Sequence, residues 1–393
     1  MATGNIDTRP AMRWCATLVV VLGATACLSI YAASDYARAA ALVARAAGVG
    51  DGWIGRLARL YARSFVTSEL QVQTRSGPIR ARLYRPSRQS GRTTLLVPGV
   101  HALGIDEPRL TRFAGELAQS GMGVVTIELP DLLQYRITPR LTDQIEDAAG
   151  WVSHQPDLSP DGRVGLIGIS FAGGLSVVAA GRPSVRNRLA FALSFGGHGD
   201  LPRVLRYLCT GEEPDGSRRP PHDYGVAVIL LNAADHMVPP EEVDGLRRGI
   251  LMFLHASHMT LVDKQRAEYE FSKARAMEDS LPSPAKELLH GANARDVERL
   301  GPLLLPQIAG FAGSDVLSPS RSPAPACPVY LLHGADDNVI PAIEARLLAG
   351  TLEGRCPVHL LITPLITHAE VDRRRRLGDI WRLVTFWERL MDE

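Results

Sequence analysis

The stretch VGLIGISFAGG, Val164 to Gly174, holds one hydroxyl, Ser170, among small and apolar residues. The apolar run from Val164 to Gly168 predicts a buried strand, and a helix is predicted from Phe171 onward. A serine at such a junction is either a passive turn residue or a nucleophile held up on a strained bend. The second use requires small residues two positions away on each side, so that strand and helix can approach. Gly168 and Ala172 occupy those positions, and Gly173-Gly174 follow at once. A helix N-terminus beneath the serine favours negative charge developing there. The chemistry that uses such a group is acyl transfer through a covalent intermediate.

The motif is G-x-S-x-A, a nucleophile elbow with Ala172 in place of its second glycine. On these residues the chain resembles the α/β-hydrolase superfamily, over roughly Thr67–Glu393 apart from one insertion. The resemblance implies a base and an acid in the chain order Ser, Asp, His. LLHGADDNVIP then supplies Asp337, in G-x-x-D-x-x-x-P between Gly334 and Pro341, with Asp336 as its less well spaced neighbour. HLLITPLITHAEVD supplies His368, just past the last predicted strand, where the family carries its histidine. His368 would take the serine proton near neutral pH, and Asp337 would fix the imidazole tautomer. A solvated turn aspartate and a surface-loop histidine are the structural alternatives. Asp235 in LLNAADHMVPPEE repeats the spacing before Pro239, and Asp200 in GGHGDL follows the preceding strand, so both compete as the acid. An oxyanion hole needs two N–H donors, expected at Phe171 and at Val100 with His101 next. Here PGVHALG stands where the family has a His-Gly-x run.

Other chemistry is thinner. His255 and His258 in HASH have helical i, i+3 spacing, which can bind a metal, but no third ligand pattern accompanies them. His198 either lines a pocket or packs in its glycine-rich loop. Arg373–Arg376 read as a solvated helix start or an acidic-lipid contact. No cofactor is implied.

Positioning these groups requires a sheet. TTLLVPG, GVVTIELP, RVGLIGI and LAFALSF are apolar runs of the kind buried on both faces, with helical patterns between them. That alternation predicts a mostly parallel sheet with right-handed crossovers. SELQVQT and IRARLYRP predict an antiparallel hairpin ahead of it. From Pro202 to Pro323 the rhythm becomes helical, and it resumes with CPVYLLHG, CPVHLLITP and a closing helix. The expected organisation is an N-terminal anchor or signal over 1–33, a helical stalk over 34–66 and a core over 67–200. A helical cap over 201–323 and the rest of the core over 324–393 complete it.

The chain has 393 residues, 46% hydrophobic and 22% charged, with a net charge of +1, which argues against nucleic acid as the main partner. Trp14–Ala33 is twenty residues without a charge, about the length that spans a bilayer core of roughly 30 Å. It predicts a single-pass anchor, with a cleaved signal as the alternative. Arginines flank both sides, so the exported orientation of the catalytic domain is a preference and a cytoplasm-facing one stays open. Cys327 and Cys356 each precede a proline at a strand head. The family topology makes those strands parallel neighbours, so either a disulfide or two packed free thiols would fit.

The reading is a membrane-anchored serine hydrolase acting on a small-molecule carboxylic ester. An amidase, peptidase or thioesterase on the same residues, or a non-catalytic binding protein of this fold, are the alternatives. The oligomeric state is not legible.

Overall fold

The apolar runs form the strands expected of them. A computed structural model describes residues 34–48, 52–89, 91–260, 263–366 and 377–393. The eight strands are β1 (Phe65–Thr74), β2 (Gly77–Pro86), β3 (Thr93–Val97), β4 (Gly123–Ile127), β5 (Val164–Ile169), β6 (Leu189–Phe195), β7 (Val329–Gly334) and β8 (Val358–Thr363). They make one sheet in the order β1-β2-β4-β3-β5-β6-β7-β8. The first hairpin and the β2–β4 pair are antiparallel. Every pair from β4–β3 to β7–β8 is parallel.

Strand alternation explains the two layers. Leu95, Val97, Val125, Ile127 and Leu166 face one side, where they pack against α5 (Arg140–Ser153) and α6 (Phe171–Gly181). Leu96, Val124, Ile167 and Leu193 face the other, against α3 (Pro108–Gln119) and α15 (Leu377–Asp392). Both faces are covered, which is why β3 to β6 carry no charged residue. The short α4 (Pro130–Leu133) follows β4, and α14 (Ile343–Leu352) lies between β7 and β8.

Residues 34–66, expected as a stalk, hold α1 over 34–46 and α2 (Gly52–Leu60). The first of these lies on the core and does not stand clear of it. Ala39 and Leu42 are buried among α3 and α15 side chains, and Arg45 pairs with Glu116 at 2.7 Å. A helix this rich in alanine, with Leu42 and Val43 beside it, buries its apolar side where a layer is available.

Between β6 and β7 the chain is helical, and its described residues hold no strand beyond one isolated bridge, Glu212 with Arg218. It comprises α7 (Leu201–Thr210), α8 (Tyr224–Met237), α9 (Pro240–Met259), α10 (Lys264–Glu278), α11 (Ala285–Asn293), α12 (Val297–Leu304) and α13 (Ile308–Ala312). Among the described residues no helix is long and apolar enough to cross a membrane. Trp14–Ala33, the expected anchor, lies outside the described residues.

Cys327 and Cys356 are both free, each two residues ahead of strands paired in register at Val329 and Val358. Burial pushes the Cys327 thiol up to about 12.

Gly168, near the end of β5, has no room for a side chain. A Cβ there would stand 2.3 Å from the Ala172 carbonyl oxygen and from Ser176 Oγ. Gly168→Ala is therefore expected to destabilise the fold by about 1–3 kcal/mol through overpacking, read as a lower denaturation midpoint. An unchanged midpoint would mean that strand and helix can separate without cost.

Candidate active site

Ser170 links β5 to α6 with φ 54° and ψ −129°, a backbone region that side-chain-bearing residues avoid and that costs on the order of 1–3 kcal/mol. Two backbone bonds hold it there. Its N–H donates to the Phe195 carbonyl at the end of β6 (2.7 Å), and its own carbonyl accepts from Gly173 N–H (2.8 Å). The side chain is half-buried. The loop after β3 comes right up to it, since a Cβ on Gly99 would lie 3.3 Å from Ser170 Cβ. Val100 and His101 follow in that loop. Phe171 opens α6, so its N–H belongs to the helix N-terminus beside the serine.

Two strands across, the loop after β7 carries Asp337, 2% exposed, beside an exposed Asp336. One carboxylate oxygen of Asp337 accepts from the N–H groups of Val339 (2.9 Å) and Ile340 (3.0 Å). The other lies 3.5 Å from His333 Nε2, a ring nitrogen that donates to the Ile340 carbonyl at 2.8 Å. Gly196, just past β6 with φ 65°, would bring a Cβ to 3.7 Å from that same Asp337 oxygen. Thus Ser170 and Asp337 sit at the same edge of the sheet, flanking the end of β6. Beyond β8, Ile366 reaches back over the end of β7, its carbonyl 2.4 Å from where a Gly334 Cβ would stand. His368 lies outside the described residues.

The parallel sheet with its antiparallel leading hairpin, and a strained serine between a central strand and its helix, decide the fold. This is an α/β-hydrolase fold.

No protein-family model matches the chain, and no curated protein matches it in sequence. Solved structures do. An esterase of Pyrobaculum calidifontis is 16% identical with a TM-score of 0.45, covering 84% of this chain and 88% of that one. An acylaminoacyl peptidase of Pyrococcus horikoshii is 11% identical with a TM-score of 0.43, covering 87% of this chain and 43% of that one. An α/β hydrolase of a Penicillium species is 14% identical with a TM-score of 0.43, covering 84% of this chain and all of that one. These likenesses are weak, and the α/β-hydrolase assignment rests on the chain's own strand order and elbow.

Within this α/β-hydrolase fold the other acids are otherwise engaged. Asp200 caps α7, accepting from Arg203 N–H at 3.1 Å, and pairs with Arg321 at 2.8 Å. Asp235 is exposed on α8 and pairs with Arg247. His198 is fully buried beneath α6, where Gly174 leaves space for its ring and Phe171 stacks on it at 5.2 Å. Its Nε2 donates to the Leu317 carbonyl, and burial lowers its pKa.

The sequence reading missed a cluster joining the Gly99–Leu103 loop to the inserted helices. Tyr135, with φ 55°, sends its hydroxyl to His258 Nδ1 at 2.7 Å. The His258 ring also lies against that of His101, centroids 4.4 Å apart and planes tilted by 35°. Asn232 of α8 clamps the strained backbone, donating to the Tyr135 carbonyl and accepting from Ile137 N–H. On the acid side, His222 N–H donates to the Asn338 carbonyl at 2.9 Å, next to Asp337. His258 of the HASH stretch therefore braces a loop, and among the described residues no three His, Cys, Asp or Glu side chains are grouped to hold a metal ion. The i, i+3 spacing was the legible signal, but partner and purpose were not.

Burial, with the His101 and Arg109 charges, lowers the His258 pKa from 6.5 to about 3. The unfolded chain then binds this proton at higher pH than the folded one, so stability falls as pH drops from 6.5 towards 3. His258→Gln keeps an acceptor for Tyr135 and removes the titration. Its thermal midpoint is expected to decline less steeply over that interval than the wild type's, and equal slopes would reject the assignment.

Proposed function

We propose that this α/β-hydrolase-fold protein is a serine hydrolase that cleaves a small-molecule carboxylic ester. Ser170 Oγ attacks the ester carbonyl carbon while His368 accepts its proton. Asp337 orients the imidazole and stabilises the imidazolium that forms. The Phe171 and Val100 N–H groups take the oxyanion. As the tetrahedral intermediate collapses, the C–O bond to the alcohol breaks and His368 returns the proton to the leaving oxygen. Water then attacks the acyl-enzyme with the same histidine as base, releasing the acid and Ser170.

The observation that carries this reading is the backbone of Ser170. A strained φ of 54° on a non-glycine residue at the edge of a packed sheet has a use when the side chain must be presented to a substrate. The 2% exposure of Asp337 beside the neighbouring strand supports the acid. The helical segment 201–323 is read as a cap on the core formed by 67–200 and 324–393. Trp14–Ala33 is read as a membrane anchor with the catalytic domain exported.

Labelling the purified chain with a fluorophosphonate probe, then mapping the adduct, tests the proposal. Modification of Ser170 with turnover of a chain-length panel of esters is the expected result. An unlabelled Ser170 in folded protein would make this a non-catalytic binding protein, and preference for amides or thioesters would replace the substrate class alone.

A further inference from the structure

The short helix α2 is turned inside out. Its apolar residues Trp53, Ile54, Leu57 and Leu60, continued by Tyr61, share one helical face by their spacing. That face looks away from the protein, with Trp53 72% and Leu60 79% exposed. The small residues Gly55 and Ala58 are the buried ones, and Arg45 donates to the Ala58 carbonyl at 3.1 Å. Surface helices of water-soluble domains ordinarily do the reverse.

Charge along this face is mainly basic. Between Asp51 and Glu69 there are three arginines, Arg56, Arg59 and Arg63, and no acid. Arg56 and Arg59 are exposed. Arg63, at the far end of this segment, donates to the Arg88 carbonyl and lies near Arg38, which pairs with Asp35. The uncharged segment Trp14–Ala33 ends one residue before α1, and α1 is tied to α2 through Arg45. Tyr36, near that same end of α1, stacks at 5.4 Å on Trp381, whose side chain is 62% exposed.

We propose that α2 docks on the headgroup layer of an anionic lipid bilayer. Trp53, Ile54, Leu57 and Leu60 enter below the phosphates, and Arg56, Arg59 and Arg63 lie at phosphate level. A second copy of the chain is a poorer occupant, because a two-fold contact through this face sets like arginine clusters against each other. The chain's own first 33 residues are poorer as well, since Arg9 and Arg13 precede their apolar stretch. The inference rests on the membrane attachment proposed above and adds which face of the catalytic domain meets the lipid.

The test uses the full chain in phosphatidylcholine–phosphatidylglycerol vesicles containing lipids brominated near the glycerol or near the chain end. The Trp53 signal is the difference between wild type and Trp53→Phe. Stronger quenching of that signal by shallow bromines than by deep ones is expected. Arg56→Gln and Arg59→Gln should each lower the ratio of docked to undocked protein about five-fold, and omission of phosphatidylglycerol should lower it too. Protein that floats with the vesicles while Trp53 stays unquenched overturns the docking and leaves the attachment standing. Protein that does not float overturns both, and an unquenched Trp53 in a cross-linkable dimer assigns the face to a second copy.

Discussion

Ser170→Ala is expected to lower ester turnover by on the order of 10⁴–10⁶-fold with the fold unchanged. Alanine keeps the Cβ that faces Gly99, and both backbone bonds that hold the bend, from Ser170 N–H to Phe195 and from Gly173 to Ser170. What disappears is the oxygen that attacks. The denaturation midpoint should stay close to wild type, because the strain at φ 54° is carried by the backbone and survives the substitution. Activity on the order of the wild type in purified Ser170→Ala protein would overturn the triad assignment and return Ser170 to a passive turn.

Asp337→Asn should depress kcat by about 10³–10⁴-fold. The amide oxygen can still accept from Val339 and Ile340 N–H. That constraint turns the amide nitrogen to the side now held by the other carboxylate oxygen, where a donor replaces an acceptor. The imidazole is then held in the wrong tautomer. Asp336→Asn on the exposed neighbour and Asp235→Asn on α8 provide the comparison, and both should leave kcat within a few-fold of wild type. A larger loss at Asp235 than at Asp337 would move the acid into the inserted helices.

The parallel sheet was legible because its strands are buried on both faces, which leaves uninterrupted runs such as Thr93–Val97 and Gly123–Ile127. The bend at Ser170 was legible because a close strand–helix approach demands small residues at fixed offsets. The choice of Asp337 over Asp336 rested on spacing, and the burial of one beside the exposure of the other now adds a physical reason. Long-range pairings left no such trace. The bond from Tyr135 to His258 joins a β4 loop to α9 across 123 positions, and the φ of Tyr135 is imposed by Asn232, remote in sequence. The packing of α1 was missed for a related reason, since an alanine-rich helix reads alike whether it stands free or finds a layer to cover.

The helical segment between β6 and β7 bears on the order in which the chain assembles. Strands β1 to β6 and their helices are contiguous in sequence, whereas pairing Ala192 with Val329 must close a loop containing all seven inserted helices. Each doubling of loop length adds only about 0.6 kcal/mol of closure entropy, so stability tolerates the insertion, but non-local pairings slow folding. Until that closure the edge of β6 is an unpaired apolar strand, a template for pairing with other chains. Asp337 arrives with β7, after the serine's own strand and helix can already have formed. During refolding, helical signal and the Ser170 bend should therefore return before catalytic competence, and the lag should shorten if the insertion is folded first.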